Sequence, residues 1–174
     1  MEREEKYATR DDFCRLFHEE MSNLYLLSFL LTGDSALSEQ CFVAGLEDSV
    51  SGNPVFKQWA YSWAKRMIVE NAIRIIAPRP NRARGAALAA HLERNGEFEI
   101  APNRDEAMGH VLELADFERF VFVMSVLERY SDQDCSVLLG YPLPKVREAR
   151  TRAFEQIGQA NEMNAAADQV ALIS

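Results

Sequence analysis

Apolar positions along the chain repeat with a helical period from end to end. Phe13, Leu16, Phe17, Leu24, Leu27 and Leu31 recur at about 3.6-residue spacing and so share one helix face. That stripe predicts a helix over 11–32, stopped by Gly33, which tolerates the left-handed backbone of a C-cap. Asp34 or Ser35 is placed to cap a second helix, with Leu37, Cys41 and Ala44 on its inner face and an end near Asp48. SVSGNP, 49–54, has the composition of a loop. A third helix is expected over 55–76. Pro78 and Pro80 end it, because proline lacks the N–H and disfavours a helical residue before it.

Between Arg79 and Asn103 the period weakens. PRPNRARG is basic and poorly suited to regular structure, AALAAHLER (86–94) can form a short helix, and NGEFEIAPN reads as loop. This stretch is expected to link two lobes. Beyond it, Val111, Leu114, Ala115, Phe117, Glu118, Phe120, Val121, Met124 and Leu127 predict one strongly apolar helix, kinked near Asp116. Ser131 opens the next helix, with Asp134 in the capping-box position and Cys135, Leu138 and Leu139 facing inward. Gly140 marks a turn, and Pro144 suits the first turn of a final helix that runs to about Ile157. The alanine-rich tail 158–174 is expected to fray. Helix, glycine turn and helix with a basic flank form the outline of a helix-turn-helix, a spacing that plain αα-hairpins share. The expectation is an all-α fold of two small helical lobes: 1–78, a linker 79–103, a helix-turn-helix lobe 104–157, and a tail 158–174.

Composition narrows the class. The 174 residues suit one domain or two small lobes, and 48% hydrophobic with 26% charged residues is ordinary for a globular protein. Cys14, Cys41 and Cys135 are too few and too scattered for a disulfide scaffold or a four-cysteine zinc site, and each is expected to be a small buried residue in a reducing compartment. No apolar run approaches the ~18 residues of a membrane span. The charged start MEREEKYATRDD lacks a signal-peptide core. A cytoplasmic location with no membrane partner follows as the expectation.

The net charge of −8 is unevenly distributed. Residues 1–50 carry four basic and eleven acidic side chains, 51–95 eight basic and two acidic, and 96–174 seven basic and fourteen acidic. An acidic protein does not attract a polyanion as a whole, but a basic segment within it offers a local patch. A second island holds Lys145, Arg147, Arg150 and Arg152 around Glu148.

Catalytic chemistry is not expected. His18, His91 and His110 are isolated, and the chain has neither a G-x-S-x-G elbow nor a phosphate-cradling glycine loop. Glu19 and Glu20 are adjacent on a helix and diverge. No metal or cofactor is implied. The third helix is more informative. At 100° per residue, Trp59, Trp63, Arg66, Glu70 and Arg74 fall in a sector about 80° wide, with Tyr61, Ala64, Ile68, Ala72 and Ile75 roughly opposite. Indoles interleaved with guanidinium groups can stack bases and contact phosphate. The same tryptophans can equally pack in a core, and Glu70 can pair with Arg66 and Arg74. Arg79, Arg82 and Arg84 extend the positive charge. On the final helix Val146, Ala149, Ala153 and Ile157 form the inner stripe. Lys145 and Arg152 flank one side, Arg147 the other, and Glu148, Thr151 and Glu155 lie outermost. A DNA-reading helix places donors there, so the two glutamates leave this helix ambiguous as a reader.

WAYSWAKRMIVENAIR, 59–74, resembles the second region of the bacterial extracytoplasmic-function sigma factors through Trp59, Ala64, Lys65, Glu70 and Arg74. Upstream, residues 11–42 resemble that family's first helices, including the Leu-Thr-Gly-Asp break at 31–34. SDQDCSVLLGYPLPKVREARTRA, 131–153, resembles its fourth region through Asp134, Leu139, Gly140, Val146, Arg152 and Ala153. The resemblance spans about residues 11–157 and includes the order of lobes. It implies an initiation factor without cofactor whose partners are core RNA polymerase, promoter DNA and an anti-sigma factor. The implied DNA contacts are Trp59, Trp63, Lys65, Arg66, Arg74, Arg79, Arg82 and Arg84 in the first lobe and linker, and Lys145, Arg147, Arg150, Thr151 and Arg152 in the second. The implied base-capture loop holds Ser51 and Asn53, and Glu39 and Gln40 face the polymerase. The chain departs from the pattern at Gln40 and Val43, where aspartate and glutamine are usual, at Ala149, where arginine is common, and at Arg150, where an apolar residue is usual. Two alternatives stay open. One is a degenerate sigma-like protein that regulates by binding protein. The other is an unrelated helical DNA-binding dimer.

Overall fold

The structure, a computed structural model, describes residues 6–80 and 102–171, and for 102–107 and 161–171 the backbone course only. The described residues are helical, with no strand beyond one isolated bridge between Tyr7 and Phe56. The chain divides into two compact units, Met1–Ala77 and Pro78–Ser174.

In the first unit, α1 (Arg10–Glu19) starts with a capping box. The Thr9 hydroxyl accepts from the Asp12 N–H at 3.2 Å, and the Thr9 N–H donates back to the Asp12 carboxylate at 2.9 Å. A single helix over 11–32 is not what forms. The helix breaks at Glu20 and restarts as α2 (Met21–Thr32), because the two halves bury different sectors. α1 buries only Phe13 and Phe17, whereas α2 is enclosed on most sides, burying Leu24, Leu27, Leu30 and Leu31 with Ser28 and Thr32. These two hydroxyls return to the carbonyls one turn earlier, Ser28 to Leu24 and Thr32 to Ser28. Gly33 closes α2 in the left-handed conformation (φ 68°).

Asp34 caps α3 (Ser35–Ser51) through the Leu37 N–H at 2.9 Å. The inner line of α3 is Ser38, Cys41, Gly45 and Ser49, so the expected inward Leu37 and Ala44 sit at its margins. Small residues are needed here because α3 lies close against α4 (Ala60–Ile76). The Cys41 thiol touches the Ile68 carbonyl at 3.3 Å. Burial pushes that thiol up to about 11. The loop expected at 49–54 begins later, since α3 continues to Ser51 and Ser49 is buried with its hydroxyl on the Gly45 carbonyl. Cys14, expected inside, is exposed.

Asp12 also ties the start of α1 to Lys57 at 3.3 Å. The Thr9 N–H and hydroxyl, aided by Lys57, hold its carboxyl at about 2, below the usual 3.8. A carboxylate depressed in the folded state stabilises above its unfolded value and loses that contribution as pH falls toward the folded one. The stability gap between wild type and Asp12→Ala is therefore expected to narrow between pH about 4 and about 2. Thermal melts across that window check it, and a gap independent of pH would count against the assignment.

In the second unit α5 (Pro102–Glu113) ends before Leu114, and extended Ala115 (ψ 152°) precedes α6 (Asp116–Phe122). The expected kink near Asp116 is thus a full break. A π-helical segment, Val123–Leu127, follows, and Arg129 turns the chain with φ 59°. α7 (Asp132–Leu139) begins at Ser131, whose hydroxyl accepts from the Asp134 N–H while Asp134 accepts from the Ser131 N–H. Gly140, at φ 71°, makes the turn into α8 (Leu143–Ala171), where a side chain would be strained. α8 outlasts the expected end at Ile157. Its inner stripe of Val146, Ala149 and Ala153 is buried, and α8 packs on α6 and α7, whose buried residues include Phe117, Phe120, Val121 and Cys135. The short helix read at 86–94 lies outside the described residues, as does the loop read at 95–103 up to residue 101, while Pro102 and Asn103 already belong to α5.

Candidate nucleic-acid interface

Residues 55–57 precede α4 and run beside the N-terminal segment. The Ala8 N–H donates to the Val55 carbonyl at 2.7 Å and the Lys57 N–H to the Lys6 carbonyl at 3.0 Å. This pairing stacks Tyr7 on Phe56, with centroids 4.8 Å apart. Phe56 in turn meets Trp59 edge to face at 5.3 Å. Trp59 sits in a 3-10 turn, Lys57–Trp59, and is 55% exposed, so one indole presents its surface to solvent at the head of α4.

The rest of the tryptophan–arginine sector does other work. Trp63 is half-buried beside Gly52, and its indole N–H is buried without an acceptor. Arg66 pairs with Glu70 at 2.9 Å along the helix. Arg74 reaches across to Asp48 on α3, which also accepts from Asn71 at 2.9 Å. Asn71 first, then Arg74, hold the Asp48 carboxyl below its usual range. Arg74 is therefore a clasp between α3 and α4. Tyr61, placed opposite the tryptophan–arginine sector, is exposed with Lys65 over its ring at 5.0 Å. Helical phase does not account for this, since Tyr61 lies at an angle between those of buried Ile68 and Ala72; it stands in the first turn of α4, where it lines an open cleft with Arg15, Leu16 and Glu19 of α1.

Ser51 is the last residue of α3, with its hydroxyl on the Glu47 carbonyl, and Asn53 is exposed in the shortened loop. Glu39, Gln40 and Val43 lie exposed on the outer side of α3. Arg79 is exposed, whereas Arg82 and Arg84 lie outside the described residues.

On α8 the cations form two carboxylate-held groups. Arg147 pairs with Asp132 at 3.3 Å, and Arg150 pairs with the same carboxylate. Arg152 reaches Glu118 at 2.7 Å and Glu148 at 2.6 Å, and Lys145 reaches Glu148 at 3.1 Å. Lys145 first, then Arg152, hold the Glu148 carboxyl below its usual range. Thr151 is exposed, but its hydroxyl donates back to the Arg147 carbonyl at 3.1 Å. Ala149 is fully buried, so the position where the sigma pattern favours arginine is core here. Arg150 is half-buried and turned to Asp132 rather than into the apolar interior.

Asp132 and Glu118 are the residues of the candidate interface that sequence spacing missed. Asp132 lies 15 and 18 positions from its arginines, and Glu118 lies 34 from Arg152. Helical periodicity pairs residues three or four apart and carries no signal at those separations. Among the described residues no group of three or more His, Cys, Asp or Glu side chains is placed to hold a metal ion. No described helix is long and apolar enough to cross a membrane. No protein-family model matches the chain, and no curated protein matches it.

Proposed function

We propose that this chain is a sigma-factor-like transcription initiation protein that binds core RNA polymerase and directs it to promoter DNA. The observation that carries the reading is α8. It buries an apolar stripe against the rest of its unit and turns a cationic first half outward, after a capped helix and a left-handed glycine turn. A helix held this way can lie in a major groove, its cations on phosphates. Exposed Trp59 supports the same reading, since an indole at the head of a basic helix can stack an unpaired base. The outer face of α3 with Glu39 and Gln40 is the proposed polymerase contact. The polymerase performs the chemistry.

Transcription with core polymerase from a promoter selected for this chain tests it. Trp59→Ala is expected to lower promoter-dependent transcript by at least about fivefold, as for loss of one stacked base. Co-elution with polymerase should be unchanged. Undiminished transcription by Trp59→Ala would remove Trp59 from the DNA contact. If the wild-type chain neither co-elutes with core polymerase nor supports transcription, the reading fails.

A second reading, a sigma-like regulator that binds protein, draws on the pairing of each cation of α8 with a carboxylate of the same chain. Val137, 68% exposed, would belong to such a surface. A reproducible promoter footprint in the presence of polymerase ends this alternative.

A further inference from the structure

Each cation of α8 is already paired with a carboxylate, so it meets phosphate only by exchange. Asp132 holds Arg147 and Arg150, Glu118 and Glu148 hold Arg152, and Glu148 holds Lys145. Each carboxylate occupies a place that a DNA phosphate would take, since both carry one negative charge and offer two acceptor oxygens to a cation. A phosphate that takes one of these cations must displace a carboxylate and then lie beside it. The two outcomes of that exchange differ with the ligand. A duplex offering phosphates alone gains little by it, because one ion pair replaces another. A duplex that also offers base-edge contacts recovers the difference.

We infer that Glu148, together with Asp132 and Glu118, is a specificity-determining gate on α8 that suppresses binding to duplex DNA through phosphate contacts alone. The inference rests on the reading above, in which α8 meets DNA. Within the gate Glu148 is the separable member. It is exposed, it lies on the helix surface, and its removal leaves Arg152 with Glu118 at 2.7 Å while releasing Lys145. Asp132, by contrast, also opens α7 and joins it to α8, and Glu118 is buried.

Glu155 provides the control. It is exposed on the same helix and takes part in none of these ion pairs. Glu148→Gln and Glu155→Gln raise the net charge equally, but only the first releases a cation.

The experiment titrates the full-length chain and its variants into a short fluorescent duplex of random sequence, by anisotropy, over a range of salt. Glu148→Gln is expected to bind up to about fivefold more tightly than wild type, the equivalent of one exposed ion pair. Its salt dependence should steepen by about 0.9 log units per log unit of salt, for one added phosphate contact. Glu155→Gln should change neither by as much. Adding Lys145→Ala to Glu148→Gln should cancel the gain. Equal behaviour of the two glutamine variants overturns the gate, as does a gain that survives Lys145→Ala. In both cases promoter-directed transcription by the wild-type chain would leave the functional proposal standing. Absence of duplex binding by every variant, with no transcription, overturns both.

Discussion

Gly45→Leu is expected to destabilise the first unit by about 3 kcal/mol, near the upper end of the overpacking range. The reason is local and geometric. A Cβ at position 45 would stand 2.7 Å from Cγ1 of Ile68 and 3.4 Å from the Ile68 backbone nitrogen. Cγ1 of isoleucine lies next to a branched carbon with one strongly preferred rotamer in a helix, so it cannot swing aside. Ile68 is also fully buried, and its carbonyl receives the Cys41 thiol one turn before Gly45 on α3. Relief would require α3 and α4 to separate, which would strain the Asp48–Arg74 clasp farther along the same pair of helices. Both tryptophans, Trp59 and Trp63, belong to this unit, so a urea titration followed by tryptophan fluorescence reads its unfolding directly. An unchanged midpoint would mean that the two helices are less closely apposed than the contact requires.

Arg119→Ala is expected to cost the second unit about 3–5 kcal/mol, the range for breaking a buried ion pair from one side. Arg119 heads the fully buried side chains by volume, and only 1% of its side chain is exposed. It donates to Asp116 at 2.8 Å and to the Leu114 carbonyl at 3.5 Å, bracing the break between α5 and α6. Truncation leaves both a cavity and a carboxylate that has lost its cation. The two effects separate in a second pair of variants. Arg119→Met keeps most of the volume and should cost less. Combining it with Asp116→Asn removes the stranded charge and should recover part of the remaining loss, since apolar replacement of a buried pair is often close to neutral. Helix content followed by circular dichroism through denaturation measures each step. A double variant no more stable than Arg119→Met alone would show that Asp116 carries little of the penalty.

Both predictions concern contacts that the residue pattern did not display, and they show where sequence reading stopped. Ser131 with Asp134, Gly33, Gly140 and the Val146–Ala149–Ala153 stripe were legible because each acts within one or two helical turns. The break at Glu20 was not. Phe13 and Leu31 continue a plausible stripe through it, and only the different enclosure of α1 and α2 separates them. The exposure of Tyr61 was not legible for a related reason. A wheel assigns it an angle between those of buried Ile68 and Ala72, but it carries no information on how far along the helix the cover extends, and Tyr61 stands in the first turn of α4 on an open cleft beside α1.

The candidate interface divides in the same way. The two basic islands and the tryptophans could be read from residue type and spacing. Their availability could not. Arg74 became a clasp because Asp48 lies 26 positions away on an adjoining helix, and Lys145, Arg147, Arg150 and Arg152 became held groups through Glu148, Asp132 and Glu118. Trp59, by contrast, is exposed because the Tyr7–Phe56 pairing supports it from one side only.

By itself, then, the sequence determined an all-helical chain, the position of its principal caps and turns, and which residues could carry positive charge to a partner. Those follow from backbone preferences and from periodicities that act over a few residues. The tertiary structure decided which helix faces are closed, why Gly45 must remain small, and which cations are already held by carboxylates. Those depend on close approach between segments far apart in sequence, where packing and electrostatics are set by distance in space.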